Sequence, residues 1–148
     1  MPDKNPTQPR SLLFVCTKNA CRSPMAEGLA KKYFKGDLLI QSVGLQPGLL
    51  DGFAISIMAE HGIDISNHTP KPIDDIPLEN FDLLITLSPE SHAAIMAWIG
   101  DKKIPVEHWP ISDPSTATGN RDQILQSYRN IREEILSQLT TRFPQDEA

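Results

Sequence analysis

The chain has only two cysteines, Cys16 and Cys21, and none follows Cys21. A structural disulfide stabilises chiefly by closing a long loop of the unfolded chain, and the segment between these two is short. Structural metal sites use three or four ligands at set spacings, and no further Cys or His stands at such a spacing. Neither a disulfide framework nor a metal centre is expected, and thiol chemistry takes their place. No apolar run approaches the ~20 residues that cross a bilayer. The first ten residues are polar and proline-dotted, unlike a signal peptide or an anchor. A soluble cytoplasmic protein with no membrane partner is therefore expected. Positive charge is not in excess: 14 Lys and Arg stand against 19 Asp and Glu, a net charge of −5. That balance argues against a nucleic-acid partner while leaving room for a local basic pocket. Internal repeats, low-complexity tracts and interdomain linkers are absent, and so are GxGxxG and GxxxxGK[ST], which removes the nucleotide-binding readings.

What is present is enough apolar sequence, 39% of 148 residues, for one ordinary core. The expected organisation is a flexible N-terminal extension over 1–10, a single domain over 11–143 and a short tail over 144–148. Ser11-Leu-Leu-Phe-Val-Cys16 reads as a strand covered on both faces, and similar short runs span 38–43, 82–87 and 104–109. Pro105 cannot donate to a ladder, so the last run belongs at a sheet edge.

Helical patterns alternate with these runs. Met25, Leu29 and Tyr33 form one row and Ala26, Ala30 and Phe34 the next, before Gly36. Gly52 to His61 follows, with Ala54, Ile55 and Met58 inward and Gly62 as a left-handed terminator. Ser88-Pro89 opens a third helix as N-cap and first-turn proline. Asn120 with Gln123 approximates a capping box ahead of the stripe Ile124, Tyr128, Ile131, Ile135 and Leu139. Strands alternating with helices in this way predict an α/β three-layer sandwich: a four-stranded parallel sheet with helices on both faces. Ligands of such sheets bind beyond the carboxyl ends of the strands, so the turns after Cys16 and after Trp109 are the places to search.

The segment after the first strand reads Cys-Thr-Lys-Asn-Ala-Cys-Arg-Ser-Pro from Cys16 to Pro24. Five residues between a strand end and Arg22 can curl into a nest of inward N–H groups backed by a helix N-terminus. Fewer would not encircle an oxyanion, and more would carry Arg22 away from it. Arg22 adds a planar fork that matches two oxygens of a tetrahedral anion. The Cys16 sulfur at the base lies in the field of the same dipoles, which is expected to hold it as a thiolate.

Val15-Cys-Thr-Lys-Asn-Ala-Cys-Arg-Ser-Pro-Met-Ala-Glu27 resembles the phosphate loop of the low-molecular-weight protein tyrosine phosphatases, whose fold is shared by thioredoxin-coupled arsenate reductases. The likeness runs from about Ser11 to Phe143. Ser42-Val-Gly44, the Glu60 to His68 segment, and Glu107-His-Trp-Pro-Ile-Ser-Asp-Pro114 match the family at the second strand, the following helix end and the acid-bearing loop. The resemblance implies that Cys16 is the nucleophile and that a cysteinyl-phosphate forms. It implies that Arg22 and the loop Thr17, Lys18, Asn19, Ala20, Cys21, Arg22 and Ser23 bind the phosphate. Asp113 then serves as general acid and afterwards activates water; taken alone, Asp-Pro is an ordinary turn. Ser23 is read as an N-cap or as a hydroxyl beside the thiolate. Asn19, Ser42 and His68 are read as loop supports, with turn Asn, strand-end Ser and surface His as the plain alternatives. Cys21 either pairs reversibly with Cys16 or is a free buried thiol. His61, His92 and His108 read as incidental.

Three departures from the pattern stand out. Lys18 occupies a usual glycine position, which requires that its backbone not be left-handed. Ser88 stands where the arsenate reductases carry a resolving cysteine. Ser115-Thr116 replaces the aromatic pair that often follows Asp-Pro, with Leu45, Leu49 and Leu50 as a substitute apolar wall. The expectation is a cofactor-free phosphomonoester hydrolase acting on a phosphotyrosine protein or a small aryl phosphate, inhibited by phosphate and similar oxyanions. The alternatives are an arsenate reductase, disfavoured by the missing thiol, and a non-catalytic phosphate-binding module.

Overall fold

Six consecutive buried positions suit Ser11–Cys16 (β1) to its place as one of the two inner strands of the sheet. Leu12, Phe14 and Cys16 face one side and Leu13 and Val15 the other, so both faces must be covered. A computed structural model describes residues 7–145. Residues 1–6 and 146–148, which hold much of the expected extension and tail, lie outside that range. Arg10 is tied down: its N–H donates to the Asp82 carboxylate at 2.8 Å, and its carbonyl accepts from Leu39.

The remaining elements are α1 (Arg22–Tyr33), β2 (Leu39–Gly44), α2 (Gly52–Ala59), β3 (Leu83–Thr86), α3 (Pro89–Ile99), β4 (Val106–His108) and α4 (Arg121–Arg142). Single 3₁₀ turns sit at Ile73–Asp75, Leu78–Asn80 and Pro114–Thr116. The four strands are all parallel, in the order β2-β1-β3-β4. The α/β sandwich with its loop after the first strand is therefore the architecture of the molecule, and β4, with Pro105 ahead of it, is an edge.

One apolar layer joins Phe14 to α1, α2 and α4 through Met25, Met58, Ile131 and Ile135. The other joins Leu13 and Val15 to Phe81, Ile95 and Ile99. In α2 the third inward residue is Ile57, with Ile55 only partly buried, because an eight-residue helix turns Ala54, Ile57 and Met58 together. The caps form as their chemistry dictates: Ser88 with Ser91 and Asn120 with Gln123 are both reciprocal capping boxes. Each such cap is worth about 0.5–2 kcal/mol. Because β1 continues to β2 on one side and pairs with β3 on the other, the chain order reverses at its carboxyl end. That end is where Cys16 and the following loop emerge.

Candidate active site

The backbone after Cys16 is shaped by a second loop that sequence reasoning passed over. The N–H groups of Leu45, Gln46, Gly48 and Asp51 donate to the carbonyls of Cys16, Thr17, Lys18 and Ala20, at 2.9–3.2 Å. A trans peptide points its C=O and the next N–H in opposite directions. Carbonyls drawn outward by residues 45–51 therefore turn the N–H groups of 17, 18, 19 and 21 inward. Asn19 shows the result, its N–H donating to the Cys16 sulfur at 3.2 Å. Asn19 is also the one left-handed non-glycine among the described residues, at φ 51°, so Lys18 keeps an ordinary backbone.

Ser23 lies within α1 rather than at its cap. Cys21 is the N-cap residue and makes no side-chain capping bond, while the Ser23 hydroxyl sits 2.8 Å from the Cys16 sulfur. Asn19 fixes the direction of that contact. Its Oδ1 accepts the Lys71 N–H at 3.0 Å, so its amide nitrogen must be the group facing Ser23 Oγ at 2.7 Å and Ser42 Oγ at 2.9 Å. With Ser23 Oγ accepting from Asn19, its own proton is free to point at sulfur. Ser42 in turn donates to Glu27 Oε1 at 2.7 Å. His68 Nε2 stands 3.0 Å from Asn19 Oδ1 and must donate, leaving Nδ1 toward Glu27 at 3.9 Å. Burial holds His68 below its ordinary pKa against the pull of Glu27. Glu27 was not singled out from the sequence. Its signal was position, one helical turn after Ser23 on the same face.

Cys16 lies at the floor of a cleft of about 940 Å³ whose walls include Lys18, Arg22, Leu49 and Asp113. Arg22 donates to the Ile111 carbonyl at 3.1 Å and lies 3.7 Å from the Asp113 carboxylate. Asp113 caps its own 3₁₀ turn, accepting from the Ser115 N–H and hydroxyl at 3.0 and 2.7 Å. Partial burial pushes its carboxyl up, but the Ser115 bonds and the charges of Arg22 and Lys18 outweigh this and hold it below the usual carboxylate range. Of the three leucines expected as a wall, only Leu49 lines the cleft, 94% exposed. The Leu45 backbone is instead bonded to the Cys16 carbonyl. Cys21 is a free buried thiol aimed at Met25 Sδ, 3.8 Å away. Burial first, then the negative charge of Asp51, pushes its pKa well up. Ser88 reaches the loop through its hydroxyl, 3.0 Å from Thr17 Oγ1. His92 and His108 are not isolated: their rings stack at 4.7 Å and both meet the buried Thr86 hydroxyl at 3.0 Å.

Residues 11–146 match the family described as low molecular weight phosphotyrosine protein phosphatase. The arsenate reductase of Bacillus subtilis is 38% identical over 128 residues, covering 86% of this chain and 91% of that one. The glutaredoxin arsenate reductase of Synechocystis is 32% identical over 126 residues, covering 85% and 90%. A solved structure described as an arsenate reductase in the phosphate binding state superposes with a TM-score of 0.70 at 31% identity, over 88% of this chain and 94% of that one. These relatives correct the expectation of a phosphotyrosine or aryl-phosphate hydrolase. At this level of identity over nearly the whole chain, the reductases outweigh the one missing cysteine on which that expectation turned.

Proposed function

The chain belongs to the low molecular weight phosphotyrosine protein phosphatase family, and from that premise we propose that it is an arsenate reductase with Cys16 as its nucleophile. The observation that carries this reading is the Cys16 sulfur itself. It is met by the Asn19 N–H and Ser23 hydroxyl at the base of an inward-turned loop, opposite Arg22 and Asp113. Arsenate has the shape and charge of phosphate, and the loop of 17–22 with Arg22 suits its oxygens.

Cys16 attacks as the thiolate met by the Asn19 N–H and the Ser23 hydroxyl, its proton having passed to the bound arsenate. Sulfur bonds to arsenic, one As–O bond breaks, and the departing oxygen takes that proton and leaves as water. A second thiol then attacks the Cys16 sulfur. The S–As bond breaks with its electron pair going to arsenic, and arsenite leaves with a disulfide on Cys16.

Cys21 is a poor candidate for that second thiol. It is buried, turned toward Met25, and held protonated, and the attacking species must be a thiolate. Ser88 offers only a hydroxyl. The attacking thiol is therefore external, and another thiol frees Cys16, so one arsenate and two thiols give arsenite, water and one disulfide. The Synechocystis relative carries glutaredoxin in its name, and a donor of that kind suits the last step.

The test is arsenite formation from arsenate with glutathione in excess. Wild type and Cys21→Ser are expected to turn over within about threefold of each other, and Cys16→Ser to fall to background, since loss of a nucleophile removes the whole pathway. Arsenite formation that survives in Cys16→Ser overturns the reading. So does a wild type that hydrolyses aryl phosphates yet forms no arsenite with glutathione, dithiothreitol or thioredoxin.

A further inference from the structure

A second cleft of about 600 Å³ opens beside the first and shares Asp51 and Ser115 with it. Its other walls include Phe53 and Ser56 of α2 and Arg121 and Tyr128 of α4. None of these has a part in holding Cys16, and the oxyanion does not need them. Asp51 is committed: Oδ1 caps α2 by accepting the Phe53 N–H at 2.8 Å, and Oδ2 accepts the Tyr128 hydroxyl at 2.5 Å. With the Ala54 N–H also on Oδ1, its negative charge is held back against the wall by three donors.

Arg121 is placed differently. Its guanidinium lies over the Phe53 ring, 5.9 Å from the centroid. Among the described residues no carboxylate comes within ion-pair distance of it, whereas Arg129 and Arg132 are both taken by Glu60. A guanidinium stacked on a ring keeps its N–H fork open for a planar anion. The cleft therefore offers a cation, an aromatic face and hydroxyls, beside the cleft that holds Cys16.

Resting on the proposed reductase reading, which requires an external thiol at Cys16, we infer that this side cleft binds the co-substrate: a small peptide-like thiol whose carboxylate pairs with Arg121. An extended tripeptide spans roughly 10 Å, and the two clefts adjoin, sharing Asp51 and Ser115 in their walls. Arg121 is thus a specificity residue for the electron donor, while Arg22 serves the oxyanion.

The experiment needs no arsenate. Oxidised glutathione reacts with Cys16 by thiolate attack on one sulfur, forming the Cys16–glutathione disulfide and releasing one glutathione thiolate. Its rate, followed by intact mass, is compared with that of the uncharged hydroxyethyl disulfide. In wild type the ratio of the two rates is expected to favour glutathione. It should fall about tenfold in Arg121→Ala, the scale of one lost charge-assisted pair, and fall further in Arg121→Glu. A ratio unchanged in both variants overturns the inference, whatever arsenate turnover shows. A ratio that collapses in a protein unable to reduce arsenate sustains the co-substrate site while the reductase reading fails. Circular dichroism and thermal unfolding of both variants establish that they are folded.

Discussion

Asn19 holds the candidate site together more than any other single side chain. It is fully buried, sits at φ 51°, gives its backbone N–H to the Cys16 sulfur and spends its amide on Ser23, Ser42, Lys71 and His68. Asparagine tolerates this backbone better than other non-glycine residues. No other side chain of that length supplies two donors and a two-lone-pair acceptor on one plane. Asn19→Ala leaves several buried polar groups unpaired, at about 1–3 kcal/mol for each one not recovered by water. Arsenite formation in this variant is expected to drop by about 10- to 100-fold, since each 1.4 kcal/mol is a factor of ten, with a lower melting temperature. Activity within a factor of two of wild type would show that the network is incidental to the chemistry.

At the scale of elements, the sheet and the two loops fit by close approach. Gly44 ends β2 and pairs with Cys16, and a Cβ there would lie 2.6 Å from the Asn19 nitrogen and 2.7 Å from the Lys18 carbonyl carbon. Backbone atoms inside the loop cannot swing aside as a flexible side chain does. Gly44→Ala is therefore expected to push the loop off β2, costing about 1–3 kcal/mol of stability as overpacking does. The sharper readout is phosphate: calorimetric affinity for inorganic phosphate should weaken by about tenfold or more, the scale of one displaced charge-assisted contact. Wild-type affinity in a folded Gly44→Ala would exclude this fit as the reason for glycine.

The loop that carries Asp113 is secured from the far end of the chain. Glu107 accepts from Trp109 Nε1 at 3.2 Å and from Arg142 Nε at 2.6 Å, just before the turn that carries Asp113. The segment from 109 to 113 is thus held by α4 on one side and by the Arg22 bond to Ile111 on the other.

For the whole molecule, α2 and α4 are joined across the outer face by Glu60, which receives Arg129 and Arg132. Arg132 is buried and also donates to the Ile57 carbonyl at 2.9 Å. The bonds from Arg129 and then Arg132 lower the Glu60 pKa from 4.5 to about 2. A carboxylate whose pKa is lowered by folding stabilises the protein fully above its unfolded value, and that stabilisation fades as pH falls through the folded value. The melting-temperature gap between wild type and Glu60→Gln is therefore expected to be largest above about pH 5 and to close between about pH 4.5 and 2. A gap independent of pH over that window would remove the ion-pair explanation.

Much of this was legible in the sequence because it is local. Strand runs, the Ser88 and Asn120 caps and the spacing from Cys16 to Arg22 follow from side-chain periodicity and from which backbone groups a short side chain can reach. The family and its sheet were legible for the same reason. The strength of the likeness to arsenate reductases was not, because the cysteine absent at Ser88 stood against it, and a thiol missing from the chain can be supplied by another molecule. Of the two readings of Ser23, the cap was the local one and the hydroxyl beside sulfur came from the family resemblance; only the closed loop, which brings Cys16 Sγ within 2.8 Å, decides between them.

The sequence by itself determined the elements, the parallel α/β class and the spacing of Cys16 and Arg22 on one loop, since each depends on neighbours a few residues apart. Only the tertiary structure decided which way the loop amides point. That direction is set by the N–H groups of residues 45–51, some 30 residues away along the chain, which draw the loop carbonyls outward. It alone also joined Glu27 to Asn19 through Ser42, and set Arg121 over Phe53 beside the cleft. Contacts between distant segments depend on how whole layers pack, and no local pattern of residue types encodes that distance.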